Sequence, residues 1–214
     1  MLFFDGKNEK EEVLRFNTEG ISLDLDRSYF IYDDCIDGLQ KLLPALKGKI
    51  ELVYIDPPFN TNQTFAVSDG RASTISRKKV GKIAYEDTMT KEEFLSFMYK
   101  VFVLLHELLS EDGSLYVHID TKMSHYFKVM LDDIFGDENF KNDITRIKSN
   151  PKNFDRKAFG NQKDVILFYS KNYKKNIWND VRIAITDPDE LEKKFPKIDE
   201  NGRRYTTIPL HAPG

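Results

Sequence analysis

The sequence predicts an α/β fold, a mostly parallel sheet with helices on its faces and right-handed crossovers. Two observations carry that expectation. The run Ile50 to Ile55 is almost continuously apolar and stops abruptly at Asp56-Pro57-Pro58-Phe59, as a strand buried inside a parallel sheet would. Runs of this kind alternate with segments whose apolar residues recur at helical spacing, from 35 to 46, 90 to 109 and 123 to 134.

Taken in order, Glu9 to Phe16 reads as a short helix, and Ile21 to Leu25 alternates like a surface strand. Tyr29-Phe30-Ile31-Tyr32 reads as the first strand of the sheet. Asp33 and Asp34 follow it, and then Cys35, Ile36, Leu39, Leu42, Leu43 and Leu46 mark a helix. Asp34 is a fitting N-cap. Lys47-Gly48-Lys49 turns the chain into the strand that ends at Asp56. The prolines cannot donate to a ladder, so the strand must stop there. Residues 60 to 88 are a long polar connection, and structureless connections of that length are either functional or disordered.

Thr90-Lys91-Glu92-Glu93 forms a capping box. It opens a helix with a wide apolar stripe from Phe94 to Leu109. Asp112-Gly113 leads into a strand over Ser114 to Ile119 that ends at Asp120. That aspartate either lines the site or caps the helix that follows, which carries Met123, Tyr126, Phe127, Met130 and Ile134. Asp143 to Lys148 and Val165 to Tyr169 read as two more strands. Asp187-Pro188 starts a short helix through Phe195, and Asn201-Gly202 is a hairpin turn.

Composition narrows the class. The 214 residues are 40% hydrophobic and 31% charged, with 16 Phe and 10 Tyr, enough for one sizeable core. One cysteine excludes an internal disulfide and a cysteine-based zinc cluster. No histidine stands at persuasive metal-ligand spacing, so no metal is expected. No apolar run approaches a membrane span, and the first residues lack a secretory pattern. A cytoplasmic setting is expected.

The net charge of −3 hides local asymmetry. Arg71 to Lys82 holds Arg71, Arg77, Lys78, Lys79 and Lys82 without an acid. Residues 145 to 175 hold nine lysines and arginines against Asp155 and Asp164. Such patches are footprints of phosphate binding or simply solvated faces. Between the last two long strands, Lys148, Lys152, Arg156 and Lys157 interleave with Phe154 and Phe159. That pattern suits a nucleic-acid backbone and its bases, or else a hairpin loop with two packing aromatics.

The strand end at Asp56 lies where open α/β sheets bind ligands. Asp56 offers acceptor oxygens, a proline carbonyl adds another, and Phe59 offers an aromatic face. Acceptors beside a flat face suit a planar ligand that carries an amino group. A flipped-out adenine is such a ligand.

Asp56-Pro57-Pro58-Phe59 resembles the Asp-Pro-Pro-Tyr/Phe motif of the amino DNA methyltransferases, which methylate adenine N6 or cytosine N4. Tyr54 to Asn62, Ala84-Tyr85-Glu86-Asp87 and Gly113 to Asp120 are similar to the β arrangement of that family, which includes modification subunits of type III restriction–modification systems. The resemblance runs from about 31 to 170. It implies a Rossmann-like fold dependent on S-adenosylmethionine, with DNA as substrate and a homodimer or a restriction subunit as partner. It implies catalysis by Asp56, Pro57, Pro58 and Phe59 and a cofactor side formed by Asp33, Asp56 and Asp120. The basic patches are then the expected DNA contacts, through Arg77, Lys78, Lys79, Lys148, Lys152, Arg156 and Lys157, with Asn60 beside the motif. Aspartate rather than serine at the first motif position favours adenine.

In that arrangement a Phe/Tyr-x-Gly-x-Gly segment binding the cofactor follows the target-recognition region. No glycine cluster of that kind is present here. The expected organisation is therefore an extension over 1–27, a partial catalytic domain over 28–175 and the start of a target-recognition region over 176–214. The isolated chain is expected to bind the cofactor weakly at best and to be inactive.

Overall fold

A computed structural model describes residues 7, 10–58, 64–68, 71–74, 82–86, 89–148, 157, 160–180 and 184–207. The chain divides into two compact units, Met1–Ile177 and Trp178–Gly214.

The first unit is built on a four-stranded mixed sheet. Its strands are β1 (Ile50–Ile55), β5 (Leu109–Asp120), β7 (Lys163–Ser170) and β6 (Phe140–Ile147), in the order β1-β5-β7-β6. The α/β class holds. The expectation of a mostly parallel sheet holds at one pair of the three. β1 and β5 run parallel, joined through helix α3 (Lys91–Leu108), while β5–β7 and β6–β7 are antiparallel. The reason is connection length. Directly after β6 the Lys148 N–H donates to the carbonyl of Gln162, the residue before β7, at 2.8 Å, so the two strand ends meet. Such a connection closes a hairpin and cannot make a parallel crossover.

Helices α2 (Cys35–Leu46), α3 and α4 (Ser124–Phe135) supply most of the core. α2 starts as expected, with the Asp34 carboxylate accepting from the Ile36 and Asp37 N–H groups. α3 carries its capping box, with Thr90 and Glu93 each accepting from the other's backbone. Phe94, Met98, Val101, Phe102 and Leu105 of α3 meet Phe127, Met130 and Leu131 of α4 in one buried cluster. Leu115, Val117 and Ile119 of β5, with Val165, Leu167 and Tyr169 of β7, complete it. Short helix α1 (Lys10–Val13) adds Val13, and Leu14 and Phe16 pack beside it.

Four expectations fail. Tyr29 to Tyr32 is not a strand and has no regular structure; Phe30 and Tyr32 are 91% and 95% exposed. Ile21 to Leu25 is likewise irregular. Aromatic and β-branched residues fit a strand only when a neighbour pairs with them. Here the Tyr29 hydroxyl instead accepts from the Asp24 N–H in a local turn. β1 is buried on one face only: Val53 and Ile55 pack on the core, while Leu52 and Tyr54 are exposed. The stretch 60–88 is not structureless. It contains β2 (Thr64–Ser68), β3 (Arg71–Thr74) and β4 (Lys82–Glu86), an antiparallel sheet of order β3-β2-β4.

β5 starts directly after α3, earlier than expected, and its register with β1 shifts between Ile50 and Leu52. Gly113 sits in that irregular stretch. A Cβ there would meet the Ile50 carbonyl oxygen at 2.7 Å, so only glycine allows the two backbones to approach.

The second unit contains α5 (Pro188–Lys194), capped by Asp187, and the short pair β8 (Lys197–Ile198) and β9 (Arg204–Tyr205). Gly202 takes a φ of +76° in the turn between those strands. Among the described residues no helix is long and apolar enough to cross a membrane.

Candidate active site

β1 and β5 are parallel and paired in register from Leu52↔Ser114 to Ile55↔Val117. Their carboxyl ends therefore share one rim of the sheet. Asp56 emerges at that rim directly after β1. His118 on β5 stands level with it, and Asp120 two residues beyond. The antiparallel strand β7 begins at this rim, where Asp164 faces Asp120 across the ladder, and β6 ends there, with Arg146 opposite Asp164.

A pocket of about 510 Å³ opens beside Asp56. Pro57, Pro58, Ile55 and Cys35 line it on one side, and Met89, Phe94, Phe97, Met98 and Val101 on the other. Its wall is apolar apart from the Asp56 carboxylate and the Cys35 thiol, which burial raises above its ordinary range. The sequence folds this way because α2 and α3 pack on each other, Val53 and Ile55 of β1 pack on the same core, and the prolines end the strand there.

Behind Asp56 lies a line of polar groups. His118 is buried at 7% exposure, and its Nδ1 lies 3.1 Å from Asp56 Oδ1. Its Nε2 lies 3.7 Å from Asp164 Oδ2. Asp164 is 2% exposed, and Arg146 and Lys148 reach it at 3.2 and 2.6 Å. A buried carboxylate is tolerable only when cations and donors meet it, and Asp164 has two cations.

The other expected residues have varied surroundings. Asp33 is ion-paired with Lys41, which holds its carboxyl below the usual range, and it also accepts from the Asp34 N–H at 3.0 Å. It stands two residues before Cys35 of the pocket wall. Asp120 Oδ1 accepts from the Lys122 and Met123 N–H groups at 3.1 and 3.0 Å, so it shapes the turn into α4. Lys157 is exposed. Phe59, Asn60, Arg77, Lys78, Lys79, Lys152 and Arg156 lie outside the described residues. Among the described residues no group of three or more metal-ligating side chains comes together.

The sequence pointed to none of the histidines as a metal ligand, and neither His118, Asp164 nor Arg146 stood out in it as a site residue. A signal existed: His118 alternates with Asp120 on the strand that follows the Asp56 strand and its crossover helix.

The sequence model of the N6/N4 DNA methylases matches residues 50–208 of the chain. The chain belongs to that DNA methylase family. It is 38% identical over 185 residues to the type II methyltransferase M.EcaI of Enterobacter cloacae, across 86% of this chain and 38% of that protein. It is 27% identical over 209 residues to the probable type III restriction-modification enzyme HindVI Mod subunit of Haemophilus influenzae, across 95% of this chain and 25% of that one. The chain thus spans well under half the length of these relatives. Among solved structures, the M1.HpyAVI–SAM complex aligns with 72% of this chain and 60% of its own, at a TM-score of 0.43 and 14% identity. The cytosine-N4-specific PvuII DNA methyltransferase aligns with 67% and 49%, at 0.44 and 14%. In this DNA methylase Asp56-Pro57-Pro58 ends the strand beside the apolar pocket.

Proposed function

We propose that this DNA methylase transfers a methyl group from S-adenosylmethionine to adenine N6 of a base flipped out of duplex DNA, as the modification component of a restriction–modification system. The observation that carries the reading is the placement of Asp56, a carboxylate beside an apolar pocket at the carboxyl end of a parallel strand.

Asp56 Oδ2 and a proline carbonyl accept the two hydrogens of an exocyclic amine. Gripped in this way, the nitrogen lone pair is drawn out of conjugation and becomes nucleophilic. Phe59 stacks on the base. S-adenosylmethionine supplies the electrophilic methyl group on its sulfonium. The apolar wall of Phe94, Phe97 and Met98, with one carboxylate at its mouth, suits one side of such a cationic, largely apolar molecule. On that side the reading places Asp56, with Asp33 and Asp120 at the flanking turns. Lys148 and Lys157, with Lys152, Arg156, Arg77, Lys78, Lys79 and Asn60, form the DNA side. A homodimer or a restriction subunit is the partner that the Mod relatives suggest.

The test is methylation of DNA by the complete gene product, with the methylated nucleoside identified by mass spectrometry. N6-methyladenine is expected, and N4-methylcytosine would reassign the target. Asp56→Ala should abolish transfer while DNA affinity stays nearly intact, because phosphate contacts dominate affinity. Full turnover in that variant would refute the role of Asp56. Binding of DNA without any transfer by the wild-type product would favour a silent DNA-binding or assembly module instead.

A further inference from the structure

We propose that His118 is a positioning residue that holds Asp56 in the orientation needed to accept the target amine. The inference rests on reading Asp56 as that acceptor. Asp56 cannot orient itself: its side chain is 54% exposed and follows directly on the last residue of an edge strand. A carboxylate free to turn presents its oxygens to the amine only part of the time, and catalysis by positioning loses accordingly.

His118 has what Asp56 lacks. It is buried on the neighbouring strand, and the parallel register sets it beside Asp56. Its Nδ1 lies 3.1 Å from Oδ1, which leaves Oδ2 for a ligand. The ring is steadied from behind, where Nε2 faces Asp164 at 3.7 Å. Asp164 is itself clamped by Arg146 and Lys148. Four strands thus contribute to one line of polar groups that ends on the acceptor. Asp164 thus sets a buried carboxylate behind the imidazole, at contact distance rather than in a hydrogen bond.

The experiment exploits the two ends of an imidazole. An asparagine amide nitrogen falls near the place of Nδ1, and a glutamine amide nitrogen near the place of Nε2. In the complete gene product, His118→Gln and His118→Leu should lower kcat by about 100-fold, the cost of losing alignment. His118→Asn should keep kcat within about tenfold of wild type, since its amide nitrogen keeps a polar contact to Asp56. KM for DNA should not move in any of them, which a general loss of structure would not allow. Equal kcat in the Asn, Gln and wild-type proteins would overturn the proposal, and this pair decides even if His118→Leu fails to fold.

Asp56→Ala separates the two readings. Turnover by that variant refutes Asp56 as the acceptor. An inactive Asp56→Ala beside a fully active His118→Gln refutes only the positioning role. The contact can also be read without turnover. In imidazole 1H–15N spectra, the His118 Nδ1 proton should shift in Asp56→Ala; an unchanged resonance would overturn the contact.

Discussion

His106 on α3 sits edge-on to Phe135, with ring centroids 4.8 Å apart. Burial, then the nearby Lys171 and Lys10 cations, lowers its pKa to about 4. An unfolded histidine titrates near 6.5. Between those values the unfolded chain holds more protons than the folded one, so stability must fall as pH drops through this window. The contribution is at most about 3 kcal/mol, less the screening that its partial exposure brings. His106→Leu should flatten this dependence. Urea midpoints at pH 7 and pH 5 check it: the wild type should lose more stability on acidification than the variant, and equal losses would sink the assignment. The same scale shows what a sequence reveals of a site. Asp56 was legible because two prolines follow it and leave the strand nowhere to go. His118 and Asp164 were not, because they lie 62 and 108 positions away, and only the register of β1, β5 and β7 brings them together.

Among the elements, α3 was legible from end to end, since its caps and its apolar stripe are local properties. Thr90→Ala removes the hydroxyl that accepts from the Glu93 N–H. It should cost about 1 kcal/mol and lower the melting temperature by about 2–4 °C in a domain of this size. A calorimetric scan with no shift would show that the cap contributes nothing. Strands were harder to read. Tyr29 to Tyr32 has the composition of a strand and no partner, whereas Lys82 to Glu86 mixes charge with apolar residues and pairs with β2. Propensity reports what a pleated surface would accept; pairing depends on what arrives beside it. The direction of β6 and β7 was likewise hidden, because an antiparallel hairpin and a parallel crossover differ in the connection and hardly at all in the strands.

At the scale of the whole molecule, the division after Ile177 makes a prediction. A chain ending at Ile177 should keep the cooperative melting transition of Met1–Ile177, because the core residues all lie within it. Loss of cooperativity in calorimetry would mean that residues 178–214 complete that fold. The net charge of −3 says little about DNA, because binding responds to where the cations stand and what already neutralises them. Lys148 is the instructive case. Its ammonium lies 2.6 Å from Asp164 Oδ1, so under the proposed function it would approach a phosphate as half of a dipole. A free lysine that meets DNA displaces close to one condensed counterion, about 0.9 in the slope of log K against log salt. Lys148 should displace less. Lys157→Ala, at an exposed position, should therefore shallow the salt dependence by about 0.9, and Lys148→Ala by visibly less. In the ion ledger of this protein, a lysine held by Asp164 counts as a fraction of a cation.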